Sequence, residues 1–444
     1  MKHLLLLLSF LSSFIFAEVT VSEGTLTLKS MNLKQYLKPS TPYQSGFPYQ
    51  RIDIERVNNR CTKELETKTL YIENEYLKLT ILPEYGGRVY QAVFKPTGQD
   101  MLFNSNELKV QEAMGSTRWM HYLGGIKYAF PTYGHSPNDI NPWEYEFIDN
   151  KNGSKTVFLK RQDLETGLVL TQKITLKTDS SSIFFKTKLE NPTPHKQKYM
   201  YWICTAVEVT DDVEFIFPAT EVIQHEDFWG FPERAVISWP TYKNVDYSFF
   251  KNWREAEGLF PLNKAGKVSF IGAYDHGKKL GIIRSFPEDK VKGTKLWTFG
   301  KNDPPYKSFG IKNKIYYELF GGILETQDEY EILVPGAAIE WEENWYPLKN
   351  TGAVNYANSR LAIRASRTKE NTLKLCIYAD SKVKADLLTV KSGNFYKEIK
   401  NVEFSPDDPV EYIFDLGTED VKNVEINIPQ LLSKTFLWKE LKND

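Results

Sequence analysis

The chain has 444 residues, and its 56 basic and 57 acidic side chains interleave to a formal net charge of −1. That balance predicts neither a nucleic-acid footprint nor attraction to an anionic membrane surface. Only Cys61, Cys204 and Cys376 occur, too few and too scattered for a metal knuckle or a disulfide framework, and the apolar strand patterns around the last two read as buried small hydrophobes rather than as one bridge with a spare thiol.

In chain order, residues 1–17, M-K-H-L-L-L-L-L-S-F-L-S-S-F-I-F-A, combine one lysine, an apolar run and a small residue at Ala17 with Ile15 two positions before it. This is the layout of a secretory signal peptide. The run from Leu4 to Ala17 is 14 residues, short of the roughly 20 that a membrane-spanning helix needs. Export to the periplasm or the exterior is therefore expected, without membrane insertion.

Residues 18–68 read as an N-terminal β extension, with a short strand over Gly24 to Asn32, followed by a wrapping loop rich in Pro, Ser, Gly and Tyr from Lys38 to Gln50. From Thr69 the period becomes 2: Leu77, Leu79 and Ile81 share one face, Lys78 and Thr80 the other, as in a strand with one buried side. Gly86-Gly87 then supplies a tight reversal that presents Arg88 and lets Val89 to Phe94 return as the partner strand.

The segment Trp119 to Glu146, W-M-H-Y-L-G-G-I-K-Y-A-F-P-T-Y-G-H-S-P-N-D-I-N-P-W-E-Y-E, has neither helical nor strand periodicity. It concentrates two histidines, many rings and two proline turns in one loop, where a rigid scaffold carries its binding and catalytic groups. Strand-like runs follow at Thr156–Arg161, Leu168–Lys177, Ser182–Glu190 and Lys198–Val209, bounded by turn formers such as Asn152-Gly153 and Asn191-Pro192. A second aromatic, loop-like segment runs from Asp212 to Pro261, with short helices expected near Glu226 to Arg234 and Trp253 to Glu257. Strands resume at Val268–Tyr274, Leu280–Arg284 and from Lys314 onward. Residues 69–350 thus form one large β domain, and the runs within 355–444 predict a small C-terminal β-sandwich accessory domain.

Four phrases resemble the bacterial domain-of-unknown-function 5107 family, which is similar to the galactose-mutarotase-like group: I-E-N-E-Y-L-K-L-T-I-L-P-E-Y-G-G-R from Ile72, G-G-I-K-Y-A-F-P-T-Y-G-H-S from Gly124, K-L-W-T-F-G from Lys295, and Y-E-L-F-G-G-I-L-E-T-Q-D through to W-E-E-N-W-Y-P ending at Pro347. The resemblance covers roughly Thr69 to Pro347. It implies an all-β, galactose-mutarotase-like supersandwich with a sugar bound across the concave sheet. Lys127 stands where such sequences commonly carry an acidic residue after Gly-Gly-Ile, which alters the substrate charge that the site would suit.

In mutarotase-like enzymes a histidine and a carboxylate exchange protons with the sugar, and positioned acid–base groups contribute roughly 10²- to 10⁴-fold in rate. His135 is the expected acid, and Glu318 the expected carboxylate because Tyr316, Glu318 and Phe320 share one strand face. A backbone-bonded loop histidine and a solvent-facing edge glutamate are the structural alternatives. Arg88, Lys127, His121 and His225 are expected to contact substrate, and Trp119, Tyr133, Trp143, Trp229 and Trp253 to offer stacking faces, with a core role the alternative for each ring. Asp139, Glu144, Glu255, Glu257, Glu325 and Asp328 are reserve carboxylates, while His195 and His276 read as exposed turn residues. No cofactor and no metal ligand set are expected. The expected partner is a carbohydrate: an exported enzyme cleaving an oligo- or polysaccharide, with epimerase or uronate-lyase chemistry as variants and a non-catalytic glycan-binding scaffold as the rival.

Overall fold

The computed structural model describes residues 18–40, 49–58, 62–108, 110–112, 119–121, 123–131, 137–139, 141–225, 234–262, 269–302, 315–369, 371–417 and 421–444. Among the described residues, strands account for 58% and no helix reaches seven residues, so the protein is all-β. Two large antiparallel sheets, of twelve and eight strands, lie face to face. In order across the first sheet run Thr20–Ser30, Lys63–Glu73, Leu77–Leu82, Arg88–Phe94, Ile126–Ala129, Trp202–Glu208, Tyr316–Gly322, Gly293–Thr298, Glu257–Pro261, Glu221–Gln224 and Val236–Ser238, with Gln99–Asp100 pairing to one side.

The alternation read from the sequence is what builds these sheets. In Ile183–Glu190, within the second sheet, Ile183, Phe185, Thr187 and Leu189 are buried while Phe184, Lys186, Lys188 and Glu190 are not, as a pleated strand with one covered face requires. In Leu77–Leu82, Leu77, Leu79 and Ile81 are fully buried and Lys78 is exposed, but Thr80 is buried as well because it lies within a central run of the sheet. Several expected details differ. The segments read as loops, Trp119 to Glu146 and Asp212 to Pro261, carry the sheet strands Ile126–Ala129, Val213–Ile216, Glu221–Gln224, Val236–Ser238 and Glu257–Pro261, so Lys127 stands on a strand. Thr20–Ser30 pairs along its whole length with Lys63–Glu73, so the extension supplies the edge strand of the first sheet. Trp253 to Glu257 is not helical: a 3-10 turn occupies Phe250–Asn252 and a strand starts at Glu257. The other expected helix, and the residues of the expected signal peptide and Cys61, lie outside the described residues.

Past Asn355 the chain forms two four-stranded sheets with their own core, including Leu361, Ile363, Leu375, Ile377, Leu388 and Val390. This sandwich docks through Val354, Ala357, Ala362 and Tyr378 onto Ile216, Phe270, Ile283, Tyr346 and Leu348 of the second sheet. Buried Asp380 reinforces the seam by accepting hydrogen bonds from the hydroxyls of Ser180, at 3.1 Å, and Ser182, at 2.7 Å. Cys204 and Cys376 are free, buried thiols. Among the described residues, no helix is long and apolar enough to cross a membrane.

Candidate functional site

The site is built on the Gly-Gly-Arg turn. Gly86 has φ +77°, and a Cβ there would lie 2.2 Å from the Asp139 carbonyl oxygen, so only glycine lets the turn approach the Pro137–Asp139 turn this closely. Arg88 follows, fully buried. Its Nε donates to Tyr85 O at 3.1 Å, Nη1 to Gly124 O at 2.5 Å and Nη2 to Asp139 O at 3.4 Å. Burial lowers its pKa to about 10. Arg88, expected to contact substrate, thus ties three backbone segments together, and its contribution is to place Lys127 and Asp139.

Strand register does the rest. Lys127 lies opposite Cys204, Cys204 opposite Phe320, and Phe320 opposite Lys295. Directly opposed residues of an antiparallel ladder point to the same face, so these four make one row across four strands. At roughly 4.8 Å per strand, the two lysine backbones are about 14 Å apart. Glu318 stands on that same face, one pair along, opposite Ala206 and Trp297. The intervening residues Ile126, Ile203, Leu319 and Leu296 fill the core between the sheets. The row therefore belongs to the face of the first sheet turned away from the second.

The charges on this face perturb one another. Lys127 donates to Asp139 Oδ2 at 3.4 Å, with only 9% of its side chain exposed. Burial disfavours its ammonium, but the attraction of Asp139, Cys204 and Glu318 outweighs that and raises its pKa above the usual lysine range. Glu318 keeps part of its surface open, yet the surrounding protein desolvates the carboxyl enough to raise its pKa; Lys127, Lys295 and a hydrogen bond from the Cys204 thiol pull it back, and Asp139 pushes it further. The same neighbourhood drives the Cys204 thiol far above its ordinary range, chiefly by burial. A carboxyl held above its ordinary pKa by desolvation, with two ammonium groups nearby, is a candidate for proton transfer.

At the far end of the row, Lys295 Nζ meets Gln327 Oε1 at 2.9 Å and His225 Nδ1 at 3.2 Å, and lies 5.4 Å from the Phe260 ring and 5.3 Å from that of Phe320. Burial, helped by the Lys295 and Arg234 cations, lowers the His225 pKa to about 3. Its imidazole is neutral throughout the physiological range.

The other expected residues fall into three groups. His135, Tyr133 and Trp229 lie outside the described residues. Trp119 and His121 belong to the strand Trp119–His121, paired with Val110–Glu112, but their side chains are likewise outside the description. Trp143 and Trp253, expected as stacking platforms, are core rings. Trp143 packs against Tyr128 and Phe130 and donates Nε1 to Asn138 O, while Trp253 packs against Phe215 and Tyr247 and donates to Tyr247 O. Both are buried on all sides and offer no open face.

Of the reserve carboxylates, only Asp139 joins the row. Glu257 is fully buried on the opposite, core-facing side and accepts from Gln224 Nε2 at 2.7 Å. Glu255 accepts from Asn302 and Asp328 pairs with Arg234, while Glu144 and Glu325 are exposed. Sequence reading passed over Lys295, Cys204 and Gln327. Lys295 had a signal, since it alternates with Trp297 in K-L-W-T-F-G. Among the described residues, no group of three or more His, Cys, Asp or Glu is arranged to hold a metal ion.

The sequence model of a family described as a domain of unknown function (DUF5107) matches residues 43–348. Among solved structures, a TPR-domain containing protein from Parabacteroides distasonis superposes with a TM-score of 0.63 at 22% identity, over 74% of this chain and 55% of that one. The chain thus spans about half the length of that protein. A putative aldose 1-epimerase from Klebsiella pneumoniae superposes with a TM-score of 0.50 at 12% identity, over 74% and 92% of the two chains. A galactose mutarotase-like protein from Clostridium acetobutylicum gives 0.47 at 11% identity, over 64% and 96%. The fold is that of the galactose-mutarotase-like proteins, and by the extent of the family match the chain belongs to the DUF5107 family.

Proposed function

We propose that this protein is an exported carbohydrate-active enzyme that cleaves an oligo- or polysaccharide by acid–base chemistry on the outward face of the first sheet, with Glu318 as the proton-carrying group. The observation that carries the reading is the state of that carboxyl: partly open to solvent, raised in proton affinity, and set on a sheet face between Lys127 and Lys295. A general acid needs a pKa near the working pH, and burial is the usual means of lifting a glutamate there. The likeness of the fold to a putative aldose 1-epimerase adds a sugar-handling precedent. His135 is kept as the second group of the pair. The far end of its loop, Asp139, is bonded to Lys127, whose charge is felt at Glu318.

Protonating a glycosidic oxygen from Glu318 makes the leaving sugar a neutral alcohol, and a base on the other side of the ring then activates water. Two variants use the same carboxyl. Epimerase chemistry opens a hemiacetal instead of a glycoside, and a lyase abstracts a proton beside a uronate carboxylate, for which the Lys127 ammonium beside Glu318 is a fitting counter-charge.

Incubating wild type and Glu318→Gln with a glycan panel separates the outcomes: new reducing ends mark hydrolysis, absorbance of an unsaturated product marks lyase action, and a change in optical rotation marks anomer exchange. Binding of one glycan with none of these three signals overturns the enzymatic reading and leaves a glycan-binding scaffold. Full activity in Glu318→Gln overturns the site alone. Export is tested by the N-terminal mass of the protein recovered outside the cytoplasm; retention of residues 1–17 there counts against it.

A further inference from the structure

We infer that Trp297 is the residue that seats the sugar beside Glu318: its open indole receives the C–H-bearing side of a pyranose ring, and its Nε1–H donates to a hydroxyl oxygen of the same glycan. The inference rests on the reading above that this sheet face receives a sugar. Its first support is where the face opens. In Gly293–Thr298 every residue is buried except Trp297, and in Tyr316–Gly322 every residue is buried except Glu318. The register sets these two directly opposite each other. Opposed Cβ atoms lie about 4.5–5.5 Å apart, so the indole and the carboxyl border the same opening.

The second support is the indole nitrogen. Trp143 and Trp253 donate theirs to backbone carbonyls, and the Nε1 atoms of Trp202, Trp341 and Trp345 are sealed from solvent. Trp297 falls in neither group: among the described residues its Nε1–H meets no acceptor, and it is not sealed. A buried indole N–H usually finds a partner. An open one beside an apolar ring is the amphipathic surface that a sugar fits, with C–H bonds for the ring and an oxygen lone pair for the N–H.

The ring is also braced. Phe299 meets it edge to face at 4.4 Å between centroids, Phe299 meets Tyr316 likewise at 5.0 Å, and Tyr316 stacks on Phe103 at 4.5 Å. Phe103, Phe299 and Tyr316 are buried, so Trp297 is the one member of this group left partly open. A wall held in this way loses little side-chain freedom when a ligand arrives. Its contact is uncharged and is made equally before and during bond cleavage, so it appears in KM more than in kcat, whereas Glu318, which moves a proton, appears in kcat.

The direct test is fluorine NMR of the full chain labelled with fluorotryptophan, titrated with neutral gluco-, manno- and galacto-configured oligosaccharides and with their uronate counterparts. Two routes identify the Trp297 resonance: it is missing in Trp297→Phe, and it follows the Glu318 carboxyl in a pH titration that Glu318→Gln abolishes. The second route leaves Trp297 in place, so the test does not depend on a Trp297 variant that folds. For a glycan that the wild type cleaves, this resonance is expected to shift on binding. KM should rise roughly tenfold in Trp297→Ala and less in Trp297→Phe, which keeps an apolar ring but loses the N–H, with kcat changed less than KM. Cleavage with the resonance unmoved, or with KM unchanged in Trp297→Ala, overturns the inference and leaves the function proposed above. A shift without any signal of turnover supports the inference and removes the enzymatic reading. A wild-type resonance that no member of the panel moves overturns the inference as well.

Discussion

Two clusters of buried charge lie on opposite faces of the strand Tyr316–Gly322. On the core side, Arg284 donates from Nη2 to Glu343 Oε2 at 2.5 Å and from Nε to Oε1 at 3.3 Å, with side-chain exposures of 1% and 0%. Its guanidinium lies flat on Gly321, where a Cβ would come within 1.8 Å of Cζ. On the outward side, Lys127 reaches Asp139 only at 3.4 Å, and Glu318 is partly open and raised in proton affinity. The first cluster is a forked pair in which Nε and Nη2 of the guanidinium each meet one carboxylate oxygen, with Nη1 buried and unbonded. The second is a set of like and unlike charges among which the Glu318 carboxyl is lifted by desolvation and pulled back by Lys127 and Lys295. Burial alone does not mark a site; the distinction lies in whether the charges satisfy one another.

That contrast predicts opposite responses to removing one charge. Glu318→Gln should lower activity on the substrate by roughly 10²- to 10⁴-fold while leaving stability unchanged or raised, measured by kcat and by urea unfolding of the same preparation. A variant that unfolds instead would place Glu318 with the architectural pair. Arg284→Met should lower stability by about 3–5 kcal/mol, because Glu343 is left charged and buried without its partner. A shift in the urea midpoint reads this out, and a negligible one would show that the core pair is not held as tightly as its distances say. Gly321→Ala should cost about 1–3 kcal/mol by pressing a methyl into the same guanidinium, with kcat changed less than by any substitution at Glu318.

The smallest effect expected is a pH dependence. Glu318 has a folded-state pKa above its unfolded one, so the folded chain binds more protons in the interval between the two values, and stability falls as pH rises through that interval. Above the folded pKa the penalty is fully present; below the unfolded pKa it is absent. Lys127→Met removes a cation that pulls this carboxyl down, so the interval should widen toward higher pH, whereas Glu318→Gln should abolish that slope. Stability curves from pH 4 to pH 8 for the three proteins check the sign. An unchanged slope in Glu318→Gln would mean that another group carries it.

Much of the fold was legible in the residues. Period-2 alternation located the second-sheet strands Lys155–Gln162, Val169–Leu176, Ile183–Glu190, Phe270–Asp275 and Leu280–Ser285 to within one or two positions, since a pleated strand with one covered face must alternate in that way. Val213–Ile216 and the start of Glu144–Asp149, by contrast, fell in segments read as loops. Phe395–Phe404 and Leu432–Leu437 were passed over, because most of their side chains face solvent and the alternation has little apolar content to show it. For the rings of Trp143 and Trp253 the sequence left a stacking face and a core role side by side, and only the packing of Tyr128, Phe130, Phe215 and Tyr247 over them decides for the core.

The sequence by itself determined that this is an all-β chain, that Gly86-Gly87 would turn sharply into Arg88, and that Tyr316, Glu318 and Phe320 would share a strand face, all consequences of local backbone geometry. Only the tertiary structure decided that Ile126–Ala129, Trp202–Glu208, Tyr316–Gly322 and Gly293–Thr298 would be neighbours in that order. Strand register joins residues far apart in the chain, and a shift of one position would have turned Lys127 or Lys295 to the other face. The proton affinity of Glu318 follows from that pairing, since a pKa depends on what surrounds a group in space.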